Sequence, residues 1–149
     1  MREYIFDIAP SPAPRMSRQD KFKPSDRVLR YKAFREELTL EANVQGLKEL
    51  PAAMGFSFEI AMPESWSKKK KALHIGQIHQ QKPDLDNLIK AVKDSLTYRR
   101  EADDSHVATY LFAQKSWAEK GSIRLYAVEE HQDWSGVLMS IKNTIRGLW

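Results

Sequence analysis

Residues 82–97 read Lys82-Pro83-Asp84-Leu85-Asp86-Asn87-Leu88-Ile89-Lys90-Ala91-Val92-Lys93-Asp94-Ser95-Leu96-Thr97, and they mark a buried helix around which the rest of the chain must be arranged. Leu85, Leu88, Ile89, Val92 and Leu96 recur at helical spacing, so one face is apolar and belongs in a core. Pro83 suits a helix start, and Asp84 or Asp86 suits the N-cap, where negative charge complements the helix dipole. At 100° per residue Asp86 and Lys90 fall together on the flank of the apolar face, with Asp94 four residues beyond Lys90. Thr97-Tyr98-Arg99-Arg100-Glu101-Ala102 then leads to a second acidic pair, Asp103-Asp104, before Ser105.

Outward from this helix the chain alternates between strand and helix signals. Tyr4, Phe6 and Ile8 predict a short strand over Glu3–Ile8. Pro10, Pro12 and Pro14 forbid regular pairing, so an extended loop carrying Arg15, Arg18, Lys21 and Lys23 follows as far as Pro24. Ser25 or Asp26 caps a helix expected from about Arg27 to Val44, with Gly46 as its stop. Gly55–Met62 alternates through Phe56, Phe58, Ile60 and Met62 and reads as a strand ended by Pro63. Glu64–Leu73 suits a short helix whose lysine run, Lys68–Lys71, is too polar to bury. His106–Trp117 and Ile123–Val128 read as two strands joined by a turn at Glu119-Lys120-Gly121, and Asp133 can cap a final helix with Trp134, Val137, Leu138, Ile141, Ile145 and Leu148 at helical spacing. The expected fold class is therefore α+β, a mixed sheet flanked by helices in a single domain over 1–149, with 131–149 a helical extension.

The totals narrow the function classes. A chain of 149 residues with 42% hydrophobic and 30% charged side chains suits one soluble globular domain. No apolar run reaches membrane-spanning length and the first residues do not read as a signal peptide, so no membrane association and a cytoplasmic location are expected. Zero cysteines exclude disulfides, thiolate zinc sites and cysteine nucleophiles. A net charge of +4 favours an acidic partner such as nucleic acid.

Clustered carboxylates in a basic chain have two readings. In the plain one, an aspartate caps the helix and Asp86 pairs with Lys90 as an ordinary helical ion pair. In the other, a divalent cation sits among the carboxylates and a polyanion lies over it. A helix of about 12 residues is about 18 Å long, so the second reading requires the loop after Thr97 to bring Asp104 back towards the helix start. An EF-hand is excluded, because Leu88 stands where that loop needs an oxygen ligand and the glycine is missing. His74, His79, His106 and His131 lack paired ligand spacing.

The run Lys82 to Lys90, then Asp94 and Asp103-Asp104-Ser105, resembles the RusA family of Holliday-junction resolvases, small homodimeric endodeoxyribonucleases often carried by prophages. Met62-Pro63-Glu64-Ser65-Trp66-Ser67-Lys68-Lys69-Lys70 is similar to the segment that precedes this motif in phage-type members. The resemblance covers about Glu3 to Val128 and implies Asp84, Asp86 and Asp104 as catalytic metal-binding carboxylates, Lys90 as an essential lysine and Asp103 as an additional candidate. Asn87 and Asp94 match motif positions of structural character. The glycine common in relatives between Leu96 and Asp103 is missing here. Also implied are Mg²⁺, with Mn²⁺ as a substitute, a four-way DNA junction as substrate, and a homodimer.

Candidate phosphate contacts are Arg15, Arg18, Lys21 and Lys23, Lys68, Lys69, Lys70 and Lys71, and Arg99 with Arg100. Each of these also reads as a solvated surface charge. Trp66 and Trp117 suit either base stacking or the core. The expected activity is paired hydrolysis of phosphodiesters in branched DNA. A catalytically silent binder of branched DNA is the rival within the fold, and a protein whose carboxylates merely cap and pair is the rival outside it.

Overall fold

The computed structural model describes residues 1–101, 103–128 and 134–147. From the N-terminus the chain forms β1 (Arg2–Phe6), α1 (Asp26–Val44), β2 (Ala53–Ala61), α2 (Lys68–His74), α3 (Leu85–Thr97), β3 (Thr109–Ala118), β4 (Ser122–Val128) and α4 (Trp134–Gly147). Short 3-10 turns occupy Gln19–Lys21 and Asp104–His106. The strands make one mixed sheet in the order β1-β4-β2-β3, so the domain is α+β as expected.

Strand β2 is internal, antiparallel to β4 and parallel to β3. Its alternating Met54, Phe56 and Phe58 are buried in the core, but its other face is also covered, which alternation alone does not predict. At Gly55 an added Cβ would stand 2.5 Å from Cε1 of Phe112, whose ring packs on Tyr126 with centroids 5.0 Å apart. Glycine is what lets that aromatic pair close over the strand.

Strands β3 and β4 are not neighbours, because β2 lies between them. The turn at Glu119–Gly121 therefore steps across the end of β2 instead of closing a hairpin. Strand β3 also starts later than the sequence suggests, at Thr109, because Asp103 accepts a 2.9 Å hydrogen bond from the Ser105 amide and winds residues 104–106 into a turn.

Helix α1 begins where Ser25 Oγ accepts from Val28 N at 3.4 Å, and it ends at Gly46, whose φ of +83° suits glycine. Tyr31, Phe34, Leu38 and Ala42 of α1 meet Leu88, Ile89, Val92 and Leu96 of α3 in one apolar cluster with Tyr4, Phe6, Phe56, Phe58, Ile123 and Leu125 of the sheet. Each fully buried Leu or Phe side chain contributes about 1.5–3 kcal/mol, so this cluster fixes the rotation of α3. Ser67 caps α2 through Lys70 N at 3.1 Å, so that helix starts after Pro63–Trp66 and not within it.

The expected cap Asp133, together with His131 and Leu148, lies outside the described residues, as do the side chains of Trp134, Val137, Leu138, Ile141 and Ile145. Among the described residues no helix is long and apolar enough to cross a membrane.

Candidate active site

Burial of Leu88, Val92 and Leu96 leaves the flank of α3 that carries Asp86, Lys90, Lys93 and Asp94 to face outward at helical spacing i, i+4, i+7 and i+8. Two contacts hold the start of this helix. Lys115 of β3 donates from Nζ to the carbonyls of Gln81 and Pro83, the latter at 2.6 Å. The Ala13 amide on the proline loop donates to the Asn87 carbonyl at 3.4 Å. Asp84 is the N-cap residue by backbone geometry, yet its side chain makes no capping hydrogen bond.

The loop after α3 does return. The turn Asp104–His106 brings Asp104 to the α3 flank, where Asp86, Lys90, Lys93, Asp94, Asp104 and Tyr110 line a cleft of about 140 Å³ floored by Ile89. Two of the three expected carboxylates, Asp86 and Asp104, and the expected lysine Lys90 are thus brought together. Asp84 does not line the cleft, and among the described residues no three His, Asp or Glu side chains stand at metal-holding spacing.

The helical ion pair of the plain reading is not formed. The described ion pairs are Arg99–Glu36, Lys120–Asp7, Arg124–Glu3 and Arg124–Glu59, and Asp86–Lys90 is not among them. Asp94 has a structural partner, since the Tyr31 hydroxyl donates to its Oδ2 at 3.1 Å and ties α1 to α3. Burial, followed by the Asp94 carboxylate, pushes the Tyr31 phenol pKa up, so it stays a donor. Asp103 is engaged with the Ser105 amide, which holds its carboxyl below the usual carboxylate range.

The basic candidates separate by what they touch. Arg15, Arg18, Lys21 and Lys23 are exposed on the proline loop, as are Lys68, Lys69 and Lys70 on α2, with Lys71 half-buried. Arg100 turns inward and donates to the Leu47 carbonyl at 2.8 Å and to Asn43 Oδ1 at 2.7 Å. Arg99 stands 3.8 Å from Glu36 and lies over the Tyr98 ring. Trp117 is buried against Trp66 and His79, with ring centroids 4.8 and 4.3 Å away, so it belongs to the core; half-buried Trp66 has Lys70 over its ring.

The donor chemistry of the cleft fits a hard divalent cation. Mg²⁺ keeps several waters and takes one or two protein carboxylates plus substrate phosphate oxygens, and Asp86 with Asp104 supply such a pair. Three cleft-forming or cleft-holding residues were missed from the sequence. Lys93 had a signal, being seven residues after Asp86 on the same stripe. Tyr110 and Lys115 had none, because their places follow from strand register.

Compared with known families, residues 6–126 match the family described as Endodeoxyribonuclease RusA. The match spans α1, β2, α2, α3, β3 and most of β4, reaches β1 only at Phe6, and stops before α4. No curated protein matches the chain.

Proposed function

The chain belongs to the RusA endodeoxyribonuclease family, and from that premise we propose that it resolves four-way DNA junctions by paired, Mg²⁺-dependent phosphodiester hydrolysis. The observation that carries this reading is the return of Asp104 to the flank of α3, beside Asp86 and Lys90, in one cleft. Asp86, a carboxylate that faces the cleft without capping or pairing, has no role in a protein that only binds DNA, where it repels the phosphates.

In this reading Asp86 and Asp104 hold Mg²⁺, or Mn²⁺ in its place, with Asp84 as a further ligand from the helix start. Bound there, the ion would supply Lewis acidity towards the scissile phosphate, an activated water and charge neutralisation for the leaving group. Lys90 sets its positive charge against the phosphate as negative charge develops there. Asp103 holds the turn that presents Asp104, and Lys115 holds the loop that presents Asp84 and Asp86. Arg15, Arg18, Lys21, Lys23, Lys68–Lys71 and Arg99 contact phosphates along the arms, whereas Arg100 serves the fold. Two copies about a two-fold axis present two such clefts to a junction of the same approximate symmetry.

The test is incubation of the purified chain with an end-labelled four-way junction and a matched linear duplex, each with Mg²⁺ or EDTA. Paired symmetric nicks in the junction alone, dependent on metal, are expected. Junction binding without nicks under any divalent metal would replace this reading with that of a silent binder.

A further inference from the structure

Lys93 has no role in the catalytic assignment above, yet it lines the same cleft. Its Nζ donates to the Tyr110 hydroxyl at 3.1 Å, and the charge lies 5.5 Å from that ring's centroid. Tyr110 is itself held edge-on against Phe56, with centroids 5.4 Å apart, and remains about half exposed at 47%. Among the described ion pairs none includes Lys93, and its neighbour Asp94 is taken by Tyr31.

The pairing leaves both groups with donors to offer. An ammonium has three N–H donors and the phenol accepts only one of them; a phenol oxygen that accepts from Lys93 has its own O–H free to point elsewhere. We propose that Lys93 and Tyr110 form a phosphate-binding clamp on the cleft wall, distinct from Lys90, that seats the DNA strand against Asp86 and Asp104. The clamp combines one full positive charge with one neutral donor, both positioned before DNA arrives. It rests on that part of the proposed function which assigns the cleft to junction DNA.

The experiment measures junction binding in EDTA across a KCl series, and junction nicking in Mg²⁺, for the wild-type chain and for Lys93→Met, Lys93→Arg and Tyr110→Phe. Lys93→Met is expected to lower the slope of log K against log salt by about 1 per site and to raise KM by about tenfold with a smaller change in kcat. Lys93→Arg keeps the slope, and Tyr110→Phe weakens binding at unchanged slope because the group lost is neutral. A role confined to holding β3 against α3 lowers thermal stability without moving the slope. An unchanged slope and affinity in Lys93→Met overturns the clamp even where the wild-type chain cuts junctions. Binding with the expected slope change but no nicking overturns the hydrolytic reading and leaves the clamp. No binding of junction DNA by the wild-type chain overturns both.

Discussion

Helix α3 has a charged flank and a charged exit, and the two use their charges differently. On the flank, Asp86 and Lys90 face a cleft shared with Asp104, and Asp86 and Lys90 do not pair although they are one helical turn apart. At the exit, Arg100 is drawn into hydrogen bonds with Leu47 and Asn43 at the end of α1, and Arg99 lies against Tyr98 and Glu36. A charge held by its own fold contributes to stability. A charge left facing a cleft with no partner in its own fold does not, so its presence there points to a partner from outside the chain.

The comparison breaks most decisively at Asp86. Asp86→Asn removes a carboxylate whose only use to the fold is its charge in the first turn of α3, so the unfolding free energy should fall by no more than about 1 kcal/mol. Nicking of a four-way junction should fall by about a thousandfold or more, since several kcal/mol of transition-state charge stabilisation are lost. Binding in EDTA should be kept or tightened, because a negative charge facing phosphate has gone. Full nicking by this variant at saturating Mg²⁺ would place the chemistry elsewhere.

Lys115 lies between the two cases, being a charge that the fold engages in order to present the cleft. Its ammonium holds the Gln81 and Pro83 carbonyls directly before Asp84. Lys115→Met should reduce nicking by about 10–100-fold, the scale seen for partners that orient metal ligands, and should raise the Mg²⁺ concentration needed for half-maximal rate. Lys115→Arg should recover part of the loss. Unaltered metal dependence in Lys115→Met would reduce Lys115 to a packing contact.

Arg100 and Arg99 sharpen the contrast from the other side. Arg100→Met should lower the unfolding free energy by about 1.5–3 kcal/mol, the usual range for hydrogen bonds from a charged donor, while nicking per folded molecule changes little. Arg99→Ala should cost about 0.5 kcal/mol or less, as an exposed pair. Urea unfolding of the two variants side by side decides this, and equal losses would remove the distinction drawn at the helix exit.

Where sequence reasoning succeeded, it used local physics. Leu88, Val92 and Leu96 announce the buried face of α3 by spacing alone, Ser25-Asp26 announces the cap of α1, which the structure assigns to Ser25, and Gly46 its end. It stopped where two distant segments meet. The Glu119-Lys120-Gly121 turn cannot reveal that β2 lies between the strands it joins. Arg100 read as a surface cation because its partners are 53 and 57 residues away. Tyr110 reaches the cleft on a strand whose pairing with β2 shifts register between Met54 and Gly55, and no local pattern encodes that shift. Asp84, Asp86, Lys90 and Asp104 were singled out by residue type and motif. The meeting of Asp104 with Asp86 is a property of the loop path, which only the folded chain displays.

The smallest effect is expected at Asp20, a charge used entirely to shape a loop. Its carboxylate accepts from Ser17 N and Ser17 Oγ at 2.8 Å each and from Ser25 N at 3.1 Å, which lowers its pKa to about 2. These bonds fold the end of the proline loop, and with it Arg18, Lys21 and Lys23, onto the start of α1. Because the folded value lies below the ordinary 3.8, the stabilisation is complete above the unfolded-state pKa and is lost as pH falls towards the folded one. Asp20→Asn removes the charge and keeps only one of the two accepting oxygens, since Oδ2 accepts from Ser17 and Oδ1 from Ser25. The difference in thermal stability between wild type and this variant should therefore be constant from neutral pH to about pH 5 and shrink below about pH 4. A difference that persists unchanged to pH 3 would mean that the loop is held by shape and not by the carboxylate's charge. The exposed basic residues of that loop would then owe their placement to its three prolines.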